Sequence, residues 1–183
     1  MKYSRQELLS ENRVWQRDDF VFFWKPCKDG VLDKGCFSQW YMSPFVIDGL
    51  KYNCAEQYMM AMKANLFGDD EICKEIIGET SPKRIRELGR LVRNFDGAVW
   101  GEHKAEFVRQ ANFAKFTQCE ELRKFICSTE GKILVEASPF DRIWGIGMGE
   151  HNEKCVNPAT WRGSNLLGFT LMEVRDRILA AES

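Results

Sequence analysis

The sequence has only two histidines, His103 and His151. That excludes a multi-histidine metal centre and disfavours a Ser-His-Asp machine, so no metal is expected. No CxxC spacing joins the seven cysteines (27, 36, 54, 73, 119, 127 and 155), and no N-x-S/T sequon is present. Both absences point to reduced, mostly buried thiols in a cytoplasmic setting, with the nucleus as the alternative. The first nineteen residues hold no apolar core of a secretory signal, and no stretch approaches the ~18 apolar residues of a membrane span. Charge of one sign is not in surplus either. With 26 basic against 27 acidic residues, no global field draws the chain to nucleic acid or membrane. The alternating glycines of GIGMG (145–149) match neither a dinucleotide fingerprint nor a P-loop, and no cofactor is implied.

What is present is an aromatic-rich chain of 183 residues with six tryptophans, a length that suits one domain with a substantial core. Residues 1–19 are charged and read as a short helix or a loose arm, leaving 20–183 as the domain. Phe20–Trp24 and Ile133–Ala137 read as strands. Asp48-Gly49 between short apolar runs signals a hairpin. Helices are predicted over 54–67, 69–77, from a Ser81 cap with Pro82 at the first turn, over 96–116, over 120–127, and from a Ser164 cap to Ala180. Helices dominate and strands cluster, so the fold class is α+β, a mostly helical single domain with a small, mainly antiparallel sheet.

The helix CAEQYMMAMKANLF (54–67) carries only two ionisable charges, Glu56 and Lys63. Seven positions at 100° each place them about 20° apart on one stripe, ~10 Å apart along the axis. Held among methionines and aromatics, a carboxylate and an amine lose solvation and their pKa values become tunable. Two plainer readings compete. Asn53-x-x-Glu56 fits a capping box, and Lys63 can snorkel past its neighbours to water.

Lys83, Arg84, Arg86, Arg90 and Arg93 place five cations within eleven residues. Such a run is a solvated face or a phosphate clamp; Arg90, behind Gly89, is the preferred clamp residue. The segment 141–168 is long, glycine-rich and carries Asp141, Trp144, Trp161 and Asn165, as functional loops do. Trp144 beside Gly145 offers a stacking face, and Asn165 opens the last helix where it can meet a sugar or base edge. Their alternative duties are core packing for Trp144 and capping for Asn165.

These residues carry a resemblance. FSQW (37–40), the A-E-Q-Y…K helix (55–63), Gly89-Arg90, Trp100, the AKF of 114–116, D-x-x-W-G-x-G (141–147) and G-S-N-L-L-G-x-x-L-M-E-x-R (163–175) occur in the order found in the YbiA-like, or NADAR, family. The resemblance covers about residues 20–180 and implies an α+β, mostly helical fold. It also implies an N-glycosidase that breaks the C–N bond between ribose and a base-like amine. Implied substrates are ADP-ribose linked to guanine, in DNA or nucleotides, and the phosphoribosylamino-pyrimidine intermediates of riboflavin synthesis. By position, the family's helix carboxylate falls on Glu56, its lysine on Lys63, its long-helix tryptophan on Trp100, its loop acid on Asp141 and its asparagine on Asn165. Ser38, Gln39, Gly145 and Gly147 join Trp144 and Arg90 as expected substrate contacts. Gln39 and Trp40 depart from the bacterial type, which has Asn and Phe there, and the N-terminal arm and the loop from Cys27 to Cys36 are extra.

Two routes to hydrolysis fit these residues. Glu56 and Asp141 can serve as the two carboxylates of an ordinary glycosidase. The resemblance suggests the preferred route, in which Lys63 attacks C1 of the ring-opened ribose and forms a Schiff base that water cleaves, while Glu56 shuttles protons. A third reading, a module that binds ADP-ribose without cleaving it, needs the aromatic walls and Arg90 but not Glu56 and Lys63 together.

Overall fold

In the computed structural model, which describes residues 2–27 and 31–182, the elements follow in chain order. They are α1 (Arg5–Ser10), β1 (Phe20–Phe23), β2 (Phe45–Ile47), β3 (Leu50–Tyr52), α2 (Ala55–Leu66), α3 (Asp70–Gly78), α4 (Pro82–Arg90), α5 (Gly97–Thr117), α6 (Glu120–Cys127), β4 (Ile133–Glu136) and α7 (Leu166–Glu182). The α+β, mostly helical character is borne out. The strands form two separate pairs, one antiparallel (β2–β3) and one parallel (β1–β4). The chain divides into two compact units, Gln39–Cys119 and the segments on either side of it.

In the Gln39–Cys119 unit, α2 is the centre, packed by α3, α4 and α5. Its residues 55–61 and Ala64 are all buried, which explains why its sequence has no polar face. The hairpin before it turns on Asp48 (φ 51) and Gly49 (φ 77), both left-handed as a two-residue hairpin turn requires. α2 starts at Cys54 without a side-chain cap. The amide of Asn53 donates to Gln57 Oε1 at 2.6 Å, so the duty expected of Glu56 in a capping box falls to Gln57. Buried completely, Gln57 also donates through Nε2 to the carbonyls of Ile76 (2.9 Å), Ile77 (3.1 Å) and Glu79 (2.8 Å), fastening the end of α3 to α2. Gly68 (φ 68) ends α2, and Asp69 caps α3. Pro82 opens α4 at its first turn as expected, whereas the Ser81 hydroxyl makes no capping bond.

In the other unit, β1 and β4 run side by side under α7, and their inner residues, Phe22, Phe23, Leu134 and Val135, are buried with Leu167, Phe169 and Leu171. Arg175 of α7 is buried and donates through Nη1 to the carbonyls of Thr129 (2.5 Å) and Lys132 (2.9 Å), bracing the approach to β4. The N-terminal arm is anchored. Tyr3 donates to Asp176 at 2.7 Å, and Arg5 donates to the carbonyls of Pro158 (2.7 Å) and Ala159 (2.8 Å). Among the described residues no helix is long and apolar enough to cross a membrane. All seven cysteines are free thiols, and Cys36, Cys54, Cys73 and Cys155 are buried.

Candidate active site

The site is built on α2. Lys63 lies in its last turn, half-buried, and its Nζ donates to the carbonyl of Gly89 at 2.6 Å. The same nitrogen lies 4.2 Å from the ring centre of Phe95 and 5.9 Å from that of Trp100. Lys63 therefore stays beneath aromatic rings and on a backbone carbonyl. Burial pushes its pKa below the usual 10.5, and the negative charge of Glu56 opposes part of that fall. The approach of α4 that brings the Gly89 carbonyl here depends on glycine: a Cβ at position 89 would sit 2.0 Å from Met60 Sδ. The space that Gly89 leaves is filled by α2 itself.

Glu56 lies in the first turn of α2 and is 5% exposed. Its amide donates to the carbonyl of Gln39 at 3.0 Å. The Gln39 carboxamide in turn exchanges hydrogen bonds with Asn112 of α5, Nε2 to Oδ1 at 3.2 Å and Nδ2 to Oε1 at 3.3 Å. Gln39, expected as a substrate contact, thus supports the start of α2. Sequence reasoning missed Asn112 and Lys115. Lys115, only 1% exposed, points into the aromatic surface of Tyr41 (5.3 Å) and Phe116 (5.1 Å). Burial pushes the Cys54 thiol up to about 11, with Glu56 adding to the rise and Lys115 opposing it, so both charges act at the head of α2. The one available signal was a lysine between Ala114 and Phe116 on the apolar side of a long helix.

The cation run of α4 disperses. Arg93 is taken by the buried carboxylate of Asp69 (Nη2–Oδ1 2.6 Å, Nε–Oδ2 3.1 Å) and by Glu71, and the hydrogen bonds from Arg93 hold the Asp69 carboxyl well below the usual carboxylate range. Arg84 pairs with Glu87, and Arg86 lies over Trp40. Arg90 is exposed and makes no hydrogen bond or ion pair among the described residues.

In the other unit, the 141–147 turn is tightly tied. Asp141 Oδ1 accepts from the amides of Ile143 (2.8 Å) and Trp144 (2.7 Å), while its main-chain carbonyl accepts from Gly147. Trp144 is half-buried. Gly145 serves close packing: a Cβ there would lie 2.8 Å from the Glu136 carbonyl. Gly147 has φ 67, a conformation that glycine adopts at no steric cost. Asn165 (φ 53) is completely buried; its Oδ1 accepts from the Glu136 amide and its Nδ2 donates to the Leu134 carbonyl, both at 2.9 Å. Both polar atoms expected to meet a sugar or base are thus committed to β4. The first amides of α7 are committed as well, Leu166 to Ile143 and Leu167 to Trp144, so the anion-binding helix start expected there is closed. Ser38 is buried.

With this geometry in view, comparison with known proteins is direct: residues 22–179 match the NADAR domain, and the match spans both units. The chain belongs to the NADAR domain family. It is 41% identical over 168 residues to "N-glycosidase R617" of Acanthamoeba polyphaga mimivirus, covering 88% of this chain and 97% of that protein. It is 32% identical over 146 residues to "N-glycosidase YbiA" of Escherichia coli K12, covering 80% of this chain and 82% of that one. The solution structure of the E. coli protein YbiA superposes with a TM-score of 0.68 at 30% identity, covering 91% of this chain and 92% of that structure.

Proposed function

We propose that this protein is a hydrolase of N-glycosyl bonds that separates ribose C1 from a base-like amine, with Lys63 as the nucleophile. The observation that carries this reading is the setting of Lys63. Its amine is half-buried, held by the Gly89 carbonyl under Phe95 and Trp100, and shifted toward its neutral form. A neutral amine is a nucleophile; an ammonium is not. The names of the mimiviral and bacterial relatives support the reaction class.

In the proposed reaction, the ribose opens and Lys63 Nζ bonds to C1. The C1–N bond to the base then breaks, and the departing nitrogen takes a proton delivered by Glu56. Water adds to the resulting lysine–C1 imine and releases Lys63. The oxygen of that water ends on C1 as an aldehyde. The sugar hydroxyl freed by ring opening adds back to close the ring and leaves a C1 hydroxyl, and the net two hydrogens of the water are divided between that hydroxyl and the departed amine. Glu56, buried and electrostatically linked to Lys63, is suited to carry the proton between the two halves. Asp141 is less suited to pair with it as a second carboxylate, because Oδ1 already accepts two backbone amides. Arg90, exposed and without an ion pair among the described residues, is the proposed contact for phosphate.

Guanine-linked ADP-ribose is the proposed substrate, since its C1–N bond joins a ribose to a base amine and its diphosphate suits Arg90. The test is chromatographic detection of ADP-ribose released by the wild type and by Lys63→Ala. Release by the wild type alone is expected. Release by both proteins at equal rates would remove Lys63 from the mechanism, and release by neither would remove this substrate.

A further inference from the structure

The N-terminal arm and the 141–164 turn enclose a cleft of about 650 Å³ within one unit of the chain, walled by Ser4, Arg5, Leu9, Arg142, Arg162 and Ser164 among others. Among the described residues no carboxylate lines it. Arg142 and Arg162 both pack close to Gly147: a Cβ there would sit 3.2 Å from Arg142 Cγ and 3.0 Å from Arg162 Cβ. Both arginines are exposed, and neither guanidinium has a hydrogen bond or ion pair among the described residues. Arg5 commits Nε and Nη2 to the carbonyls of Pro158 and Ala159, which fixes the fork and leaves Nη1 without a hydrogen bond among the described residues. Two cations that line one cleft, with no ion pair among the described residues, raise its potential, and an anion bound in the cleft relieves that excess charge.

We infer that this cleft, lined by residues other than those around Lys63, is a phosphate-binding site, and that it takes a ligand bearing more than one phosphoryl oxygen pair, a diphosphate or a run of phosphodiesters. Guanidinium forks match phosphate oxygens bidentately, and two or three forks around one cleft suit a multiply charged group better than a single carboxylate. Among the described residues the cleft offers no exposed aromatic face: Phe169, the ring in its lining, is 1% exposed. Recognition is therefore of the phosphate and sugar rather than of the base. Part of the wall, Ser4, Arg5, Gln6 and Leu9, precedes the residues that match the NADAR domain, which begin at 22, whereas Arg142 and Arg162 lie within them. The inference stands independently of the role of Lys63.

The full-length protein is titrated at low salt with inorganic pyrophosphate and with a fluorescein-labelled single-stranded oligonucleotide. The proteins compared are the wild type, the double variant Arg142→Gln/Arg162→Gln, and a control, Lys83→Gln/Arg84→Gln, that removes the same charge from α4. Thermal melting confirms that each is folded. Loss of two charge-assisted contacts is expected to weaken binding of at least one probe by about tenfold or more in the cleft variant. The α4 variant is expected to stay within about threefold of the wild type. Displacement of the oligonucleotide by pyrophosphate assigns the cleft to a compact diphosphate; binding of the strand without displacement assigns it to a phosphodiester backbone. A folded cleft variant that binds both probes within about twofold of the wild type overturns the inference, as does an equal loss in the α4 variant. Turnover at the lysine site is a separate readout, and its presence or absence leaves this comparison unaffected.

Discussion

The Nζ of Lys63 and the carbonyl oxygen of Gly89 lie 2.6 Å apart, joining the last turn of α2 to the last turn of α4. The bond fixes the amine in one position under Phe95 and Trp100. It also explains a glycine within a helix, where glycine ordinarily costs about 1 kcal/mol relative to alanine. Without a side chain at 89, α4 approaches Met60 closely enough for its carbonyl to reach the lysine.

Gly89→Ala tests that geometry. The added methyl meets Met60 Sδ and pushes α4 away from α2, which outweighs the gain in helix propensity. A net loss of about 1–3 kcal/mol in denaturant unfolding is expected, with a fall in turnover because the amine loses its anchor. Equal stability and turnover in the variant would show that the close approach has no part in holding Lys63.

Gln57→Leu is expected to be among the most damaging single changes in the Gln39–Cys119 unit. The side chain is isosteric to a first approximation, yet the Asn53 amide and the carbonyls of Ile76, Ile77 and Glu79 lose their partner together. Buried unpaired groups cost about 1–3 kcal/mol each when water cannot reach them. Thermal unfolding should therefore move down by more than any surface change in α3 moves it.

Asn165→Ala separates structural from ligand duty. The variant leaves the Glu136 amide and the Leu134 carbonyl without the side chain that bridges them, and places alanine at φ 53, where asparagine is better tolerated. Stability is expected to fall by about 2–4 kcal/mol, and the Glu136 amide should exchange its hydrogen faster. Unchanged exchange at Glu136 would show that the bridge contributes nothing to the β4–α7 junction.

Acid unfolding reports on Asp69. Its folded carboxyl is held below the ordinary 3.8 by hydrogen bonds from Arg93, so the unfolded chain binds the proton first. The stabilisation is fully present above 3.8 and is lost as pH falls through the window beneath that value. Asp69→Asn should be less stable than the wild type at neutral pH, with the difference narrowing below about pH 3.8. A constant difference across that range would mean that ionisation of Asp69 does not carry it.

The local elements were largely legible in the sequence. The Asp48-Gly49 turn, Asp69 and Asp96 before their helices, and Pro82 at the start of α4 are short-range signals that act within one turn of the chain. The Glu56–Lys63 stripe was legible as well, because two charges are conspicuous in an apolar helix. What was not legible depends on partners distant in sequence. The parallel pairing of Phe20–Phe23 with Ile133–Glu136 leaves no periodic trace of its partner. Gln39 and Asn165 looked like ordinary cap or contact residues and Gln57 carried no signal at all, and only burial shows that each spends its carboxamide on the protein itself. Gly145 looked like open space beside a tryptophan, and it is filled by the Glu136 carbonyl. The basic run read as one face, although Arg93 belongs to the Asp69 ion pair and Arg90 stands apart from it.

The central claim is that Lys63 forms a covalent imine with C1, and borohydride reduction during turnover tests it most directly. Wild-type protein mixed with guanine-linked ADP-ribose and reductant should gain the mass of one reduced ADP-ribosyl adduct, mapped by peptide mass spectrometry to Lys63. The yield should rise with pH, with a midpoint below 10.5, because burial lowers the pKa of this amine. Turnover without any adduct, or an adduct that forms equally on Lys63→Arg, would contradict the account.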